Sequence, residues 1–301
     1  MPRRLRVLLV AAALGLLAPA GQALAAPEPA DAILVNRNLS LWLVDPADGA
    51  ATRLTRGTQE SLSDWSPDRT LIAYGTDRVA TQEVWLAGAD GGGARRLTFS
   101  SPGQAHDPSF APAGDRLVYV RSPKGVFAGQ RAPRNPVTGL FVARLDGARP
   151  TRLTAGATDQ LPDWGANGLV AFVRFTARGA ELFAVREGGR PRRLLPTPTD
   201  RRWGGDSEPS WSPDGTRIAF ARARVGRGEG EVVSSIYVAR ADGTGLRRLT
   251  RSGDATSPTW SPDGTRIAFV RNGRLSVMDA DGSGVRSFPA VPGGDLWPAW
   301  S

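Results

Sequence analysis

The chain has 301 residues, no cysteine, one histidine and a formal net charge of +9; its basic residues are arginines apart from Lys124. The lack of thiols excludes disulfides and cysteine nucleophiles, and a single histidine speaks against multi-histidine metal chemistry. The positive balance would suit an anionic partner. However, many arginines recur at matching repeat positions (Arg53, Arg96, Arg152, Arg193, Arg248) with no nucleic-acid recognition motif beside them, so nucleic acid is not an expected partner.

Residues 1–26 read as a cleaved signal peptide. Arg3, Arg4 and Arg6 form the positive end, 7–18 the apolar stretch, and Ala23-Leu24-Ala25 the small-residue cleavage site. The apolar run is too short to span a bilayer comfortably, Pro19 and Gly21 interrupt it, and no later segment is long and apolar enough. The expectation is an exported, periplasmic or extracellular monomer whose single domain is 27–301.

Three strand signals follow at 32–35, 41–44 and 53–55. A motif then recurs at intervals of about 40–54 residues, anchored at Trp65, Phe110, Trp164, Trp211, Trp260 and Trp300. It stands whole as Trp-Ser-Pro-Asp-Gly at 211–215 and 260–264, and weaker copies occupy the other anchors. Each unit holds a strand a ending at the anchor, an apolar strand b (71–74, 117–120, 169–173, 218–220, 267–270) and an alternating strand c (83–87, 140–143, 181–185, 236–239, 275–278). A short strand d closes the unit, usually on Leu-Thr (97–98, 153–154, 249–250), with 194–195 and 287–288 in its place elsewhere. This period predicts an all-β, six-bladed propeller of four-stranded antiparallel blades. The first three strands lack a strand a, and 298–301 supply one with nothing after it. Together they predict one shared blade that closes the ring and protects its edges.

Pro-Asp-Gly after the anchor suits a tight turn; Arg69 takes the glycine position in one unit, which predicts strain there. Asp-Gly pairs at 48–49, 90–91, 146–147, 242–243 and 281–282 read as hairpin turns rather than metal loops, because further acidic ligands are missing. The recurring Trp reads as a wedge between blades.

With Pro258 to Phe269 followed by 278–282, and Pro209 to Phe220 followed by 242–250, the repeats resemble the TolB-like propeller family, whose pattern is Pro-x-Trp-Ser-Pro-Asp-Gly, Ile-Ala-Phe, an Asp-Gly hairpin and Arg-Leu-Thr. The resemblance runs over nearly all of the chain after the signal peptide. It implies an exported six-bladed propeller that binds a partner at its channel mouth. TolB carries a separate α/β domain before its propeller; that domain is not expected here, so the family's envelope role does not transfer whole. The propellers of prolyl-oligopeptidase-like peptidases are similar, but this sequence shows no Gly-x-Ser-x-Gly elbow.

The long segments 121–139, 222–234 and 196–203 fall in b–c and d–a loops, on one face. Five or six residues before the anchors on that face stand Glu60, Asp159, Asp206, Asp254 and Asp295, with His106 and Asp107 in the Phe110 unit. With Trp203 and Trp297 they form the predicted channel-mouth site, for a protein or peptide partner in the cell envelope or an anionic or glycan ligand. The competing expectation is that each acid bonds its own loop backbone. No catalytic residue, metal ligand or cofactor is assigned. The alternative function is a carbohydrate-active or other hydrolytic enzyme using carboxylates at the same mouth.

Overall fold

The computed structural model describes residues 31–56, 60–78, 81–101, 103–123, 138–196, 198, 200, 202–226, 231–288 and 296–300. The proposed signal peptide and Asp295 lie outside the described residues.

Every described element is a strand. In chain order they are β1 (Ile33–Arg37), β2 (Ser40–Val44), β3 (Ala51–Arg53); β4 (Ser61–Trp65), β5 (Leu71–Thr76), β6 (Glu83–Gly88), β7 (Arg95–Arg96); β8 (Gly103–Phe110), β9 (Arg116–Pro123), β10 (Gly139–Arg144), β11 (Thr151–Arg152); β12 (Asp159–Trp164), β13 (Val170–Thr176), β14 (Gly179–Val185), β15 (Arg192–Arg193); β16 (Trp203–Trp211), β17 (Arg217–Val225), β18 (Val232–Arg240), β19 (Arg247–Arg248); β20 (Ala255–Trp260), β21 (Arg266–Arg271), β22 (Arg274–Asp279), β23 (Arg286–Ser287); and β24 (Ala299–Trp300). They form six four-stranded antiparallel sheets, a six-bladed propeller. Blade 1 is the shared blade, in the order β24-β1-β2-β3, with Ile33 opposite Trp300 and Leu34 opposite Ala299. Blades 2 to 6 follow in chain order.

The apolar strand b runs are buried on both faces, as in Ile267, Ala268 and Phe269, each fully inaccessible. Such residues pack best on a pleated surface covered from both sides. The core is divided into six apolar clusters, each built from two neighbouring blades. The anchor is the wedge in each: Trp211 packs on Leu169, Ala171 and Val173 of blade 4, and Trp260 on Ala219 and Ala221 of blade 5. The arginine that opens strand b of the preceding blade stacks over three of these indoles: Arg116 over Trp164, Arg217 over Trp260 and Arg266 over Trp300, at 5.4, 4.4 and 4.8 Å.

The Arg-Leu-Thr motif is a clasp. Paired strand d ends two residues earlier than the sequence suggests, at Arg95–Arg96 rather than at Leu97-Thr98. The reason is that Leu97 N–H and Thr98 N–H both donate to one carbonyl, Val84 O, at 2.9 and 3.3 Å, so the chain leaves the ladder there. Thr98 Oγ1 accepts the Val84 N–H at 2.9 Å, while Arg96 Nε donates to Thr98 O at 2.6 Å and its other arm reaches Glu83 on β6. Arg53, Arg152 and Arg248 repeat the bond to the Thr carbonyl. These periodic arginines are therefore structural.

The Ser-Pro-Asp turns also stitch themselves. Asp214 accepts Ser212 Oγ at 2.5 Å and Thr216 N–H at 3.0 Å, and these bonds hold its carboxyl down at about 2. Arg69 adopts the same turn as the glycines, at φ 60° against 66° for Gly215, so the strain of a side chain in the left-handed region sits on Arg69.

Candidate functional site

The site grows from a defect in the innermost strands. Pairing between strands a and b slips by one residue at His106/Ser109, Gln160/Asp163, Ser207/Ser210 and Thr256/Thr259, and also at Ser61/Ser63. The first residue inside each of the first four slips has positive φ: Asp107 52°, Leu161 51°, Glu208 54° and Ser257 52°. A proline follows each (Pro108, Pro162, Pro209, Pro258), and having no N–H it forfeits no ladder bond at a bulge. The backbone energy stored at such outliers, of order 1 kcal/mol or more apiece, re-aims the side chains.

They are re-aimed at the axis. A cavity of about 120 Å³ is walled by the three residues before the anchor in all six blades. Its rim carries Leu62, Leu161 and Trp297 as apolar members, and Asp107, Glu208 and Ser257 as polar ones. Deeper in, the residue just before the anchor joins one blade to the next at three junctions. Asp64 accepts Phe110 N–H at 2.7 Å, Ser109 Oγ accepts Trp164 N–H at 3.0 Å, and Asp163 accepts Trp211 N–H at 2.6 Å. Glu208 does the same one step higher, accepting Ser257 N–H at 2.6 Å.

Asp64 and Asp163 are half-buried in the wall of the channel. Burial pushes Asp64 up to about 6 and Asp163 to about 7, the latter with help from the Asp64 charge. Burial also raises Glu208. A raised folded-state pKa means that the native chain holds protons the unfolded chain has already released, so stability is lost as pH climbs through about 7. Asp163→Asn keeps an acceptor for Trp211 N–H but carries no charge. It should therefore be more stable than the parent at pH 8, by about 1–2 kcal/mol, and match it near pH 4. Denaturant melts at the two pH values test this; a gap of the same size at both would refute it.

The structure separates the predicted site residues. Asp107 and Trp297 line the cavity. Asp159 and Asp206 instead sit directly across the ladder from Arg174 and Arg222 and accept both arms of each, at 2.6 and 2.8 Å. Glu60 is buried, accepting Thr55 Oγ1 at 3.1 Å and Arg78 at 3.2 Å. Trp203 donates to Asp206 at 3.3 Å. Asp254 accepts Ser234 N–H of the β17–β18 hairpin at 2.7 Å. His106 lies between Asp107, 3.0 Å from Nδ1, and Ser122 Oγ, 3.1 Å from Nε2. Burial draws the imidazole toward neutrality, but the charge and hydrogen bond of Asp107 outweigh it and hold its pKa above the usual value. Among the described residues no cluster of three His, Cys, Asp or Glu could hold a metal ion.

Sequence reasoning missed Leu62, Asp64, Leu161, Asp163, Glu208 and Ser257. The proline two places before five of the anchors marks this wall and was the signal that could have found it.

No family model matches the chain. It is 29% identical over 155 residues to a TolB homolog of Chlorobium luteolum, covering 52% of this chain and 32% of that protein. It is 33% identical over 232 residues to a putative tricorn protease homolog of Streptomyces coelicolor, covering 70% and 18%. The chain thus spans under a third of the length of these two relatives. Among solved structures, TolB of Acinetobacter baumannii superposes with a TM-score of 0.69 at 20% identity, covering 90% of this chain and 66% of that one. An oligogalacturonate lyase in complex with manganese gives 0.58 at 14% identity, covering 85% and 71%. With its repeat, its blade count and these likenesses together, the chain is a TolB-like six-bladed β-propeller.

Proposed function

We propose that the protein is an exported, non-catalytic scaffold, made with a cleaved signal peptide at 1–26 and a single domain at 27–301. It binds a protein or peptide partner of the cell envelope at the channel mouth. The axial cavity carries this reading. Residues from all six blades converge on a space of about 120 Å³, below the several hundred Å³ of an ordinary small-molecule site but enough for one side chain or chain end. Its rim is apolar on some blades and acidic on others, a match for a segment with an apolar anchor beside a basic group. The TolB likeness supports a binding scaffold of this kind.

Trp297 is half-buried and lines the cavity. Trp297→Ala should lose the partner that the parent protein retrieves from envelope extract, with the melting temperature shifted by no more than a few degrees. Equal capture by both proteins would remove the channel-mouth reading.

One observation favours a hydrolytic alternative. Ser122 Oγ, His106 and Asp107 stand in a row at 3.1 and 3.0 Å, the order of a nucleophile, its base and the base's orienting carboxylate. In that reading a fluorophosphonate labels Ser122: the serine oxygen bonds phosphorus, fluoride leaves, and the hydroxyl proton passes to His106 Nε2. Mass spectrometry of the treated protein decides it, since an unlabelled Ser122 at alkaline pH would end the proposal.

A further inference from the structure

A second cavity, of about 470 Å³, lies between blades 5 and 6, away from the channel. Arg247, Arg248, Arg251 and Arg271 line it, against one carboxylate, Asp281. That carboxylate is committed to Ser283, accepting its N–H at 2.8 Å and its hydroxyl at 2.6 Å. Like charges gather in a folded protein only at a cost, so this excess of guanidinium requires an account.

The ladder register supplies part of it. In blades 4 and 5 the equivalent arginines, Arg174 and Arg222, face Asp159 and Asp206. In blade 6 the residue opposite Arg271 is Ala255, and the nearby Asp254 is held by Ser234 of the neighbouring hairpin. Arg271 turns instead to a neutral acceptor, Ser252 Oγ, at 2.7 Å. Arg248 is likewise held by neutral groups, Thr250 O at 2.7 Å and Ser235 Oγ at 2.9 Å. Arg251 is exposed, and its side chain has no hydrogen bond or ion pair among the described residues. Blade 3 makes the same exchange, with Ala105 opposite Arg121, but there Arg121 stacks on Phe141 at 5.6 Å, and Phe99 takes the place that Arg251 holds in blade 5. Among the described residues the groove thus holds three guanidinium groups, of Arg248, Arg251 and Arg271, that form no ion pair with a carboxylate.

We infer that this groove binds a phosphate oxyanion, through the forked donors of Arg251 and Arg271 beside the fixed Arg248. Guanidinium pairs phosphate through two parallel bonds, and a dianion compensates the surplus charge better than a single carboxylate. The source is either a soluble phosphorylated molecule or a phospholipid headgroup.

Titration calorimetry of the full chain with inorganic pyrophosphate tests the site, alongside co-sedimentation with vesicles of phosphatidylcholine containing phosphatidylglycerol. We expect saturable pyrophosphate binding that weakens with salt. It should fall about tenfold or more in Arg251→Gln/Arg271→Gln, but not in the control Arg190→Gln/Arg192→Gln on blade 4. Vesicle capture that pyrophosphate displaces identifies the headgroup as the source; pyrophosphate binding without vesicle capture identifies a soluble ligand. Should the double variant fold poorly, Arg251→Gln alone carries the test. Absence of binding to both probes, or binding that the groove variants leave intact or that the control loses equally, would overturn the assignment.

Discussion

Trp300→Ala is expected to cost about 3–5 kcal/mol, a core-aromatic loss from a strand of only two residues. For a domain of this size that lowers the melting temperature by about 10 °C. The side chain is buried, and it packs on Ala268 and Val270 of blade 6. Its indole N–H donates to Asp31 at 2.6 Å, and Arg266 both lies over the ring at 4.8 Å and pairs with Asp31 at 2.6 Å. One residue therefore ties the front of the domain, the last full blade and the returning strand. Ending the chain before Trp297 goes further, because β1 loses its partner and offers a bare edge to other molecules. That truncation should aggregate on heating where Trp300→Ala merely melts earlier. Circular dichroism melts with light scattering read both effects, and a truncated chain that unfolds at the parent temperature would show that the shared blade does not hold the ring.

Asp206→Ala should be comparably severe, about 3–5 kcal/mol. Arg222 is 8% exposed and lies against Phe220 and Tyr237 at 5.4 and 5.2 Å. Removing the carboxylate strands a nearly buried guanidinium without its counter-charge. Adding Arg222→Met removes the orphaned charge, keeps an apolar stem on the two rings, and should restore most of the loss. Asp254→Ala is the control: that carboxylate is exposed and bonds only a hairpin N–H, so its loss should stay near 0.5 kcal/mol. Chemical denaturation of the three variants separates a blade-internal ion pair from a ligand-binding acid. A stable Asp206→Ala that binds its partner poorly would return Asp206 to the mouth.

The predicted acidic ring shows where sequence reasoning stops. Spacing placed Asp159 and Asp206 on the innermost strands, and they are there. Whether they face the axis or their own blade depends on a one-residue slip between them and the anchor, which reverses the count of alternation. That slip hands the axis to Leu161 and Glu208 and leaves the acids opposite Arg174 and Arg222. Asp64 and Asp163 were equally invisible, because their role is to accept an N–H from the next blade, 46 and 48 residues along the chain.

Sequence alone determined the blade count, the four-strand unit, the Trp wedge and the shared blade, since each follows from a local period in hydrophobicity and turn chemistry that repeats until it closes. Tertiary structure decided which polar residues meet at the axis, which acids are neutralised within a blade, and where arginines gather without counter-charge. Those outcomes rest on contacts between strands and between blades, and their free energies belong to pairs of residues that no reading of one repeat places side by side.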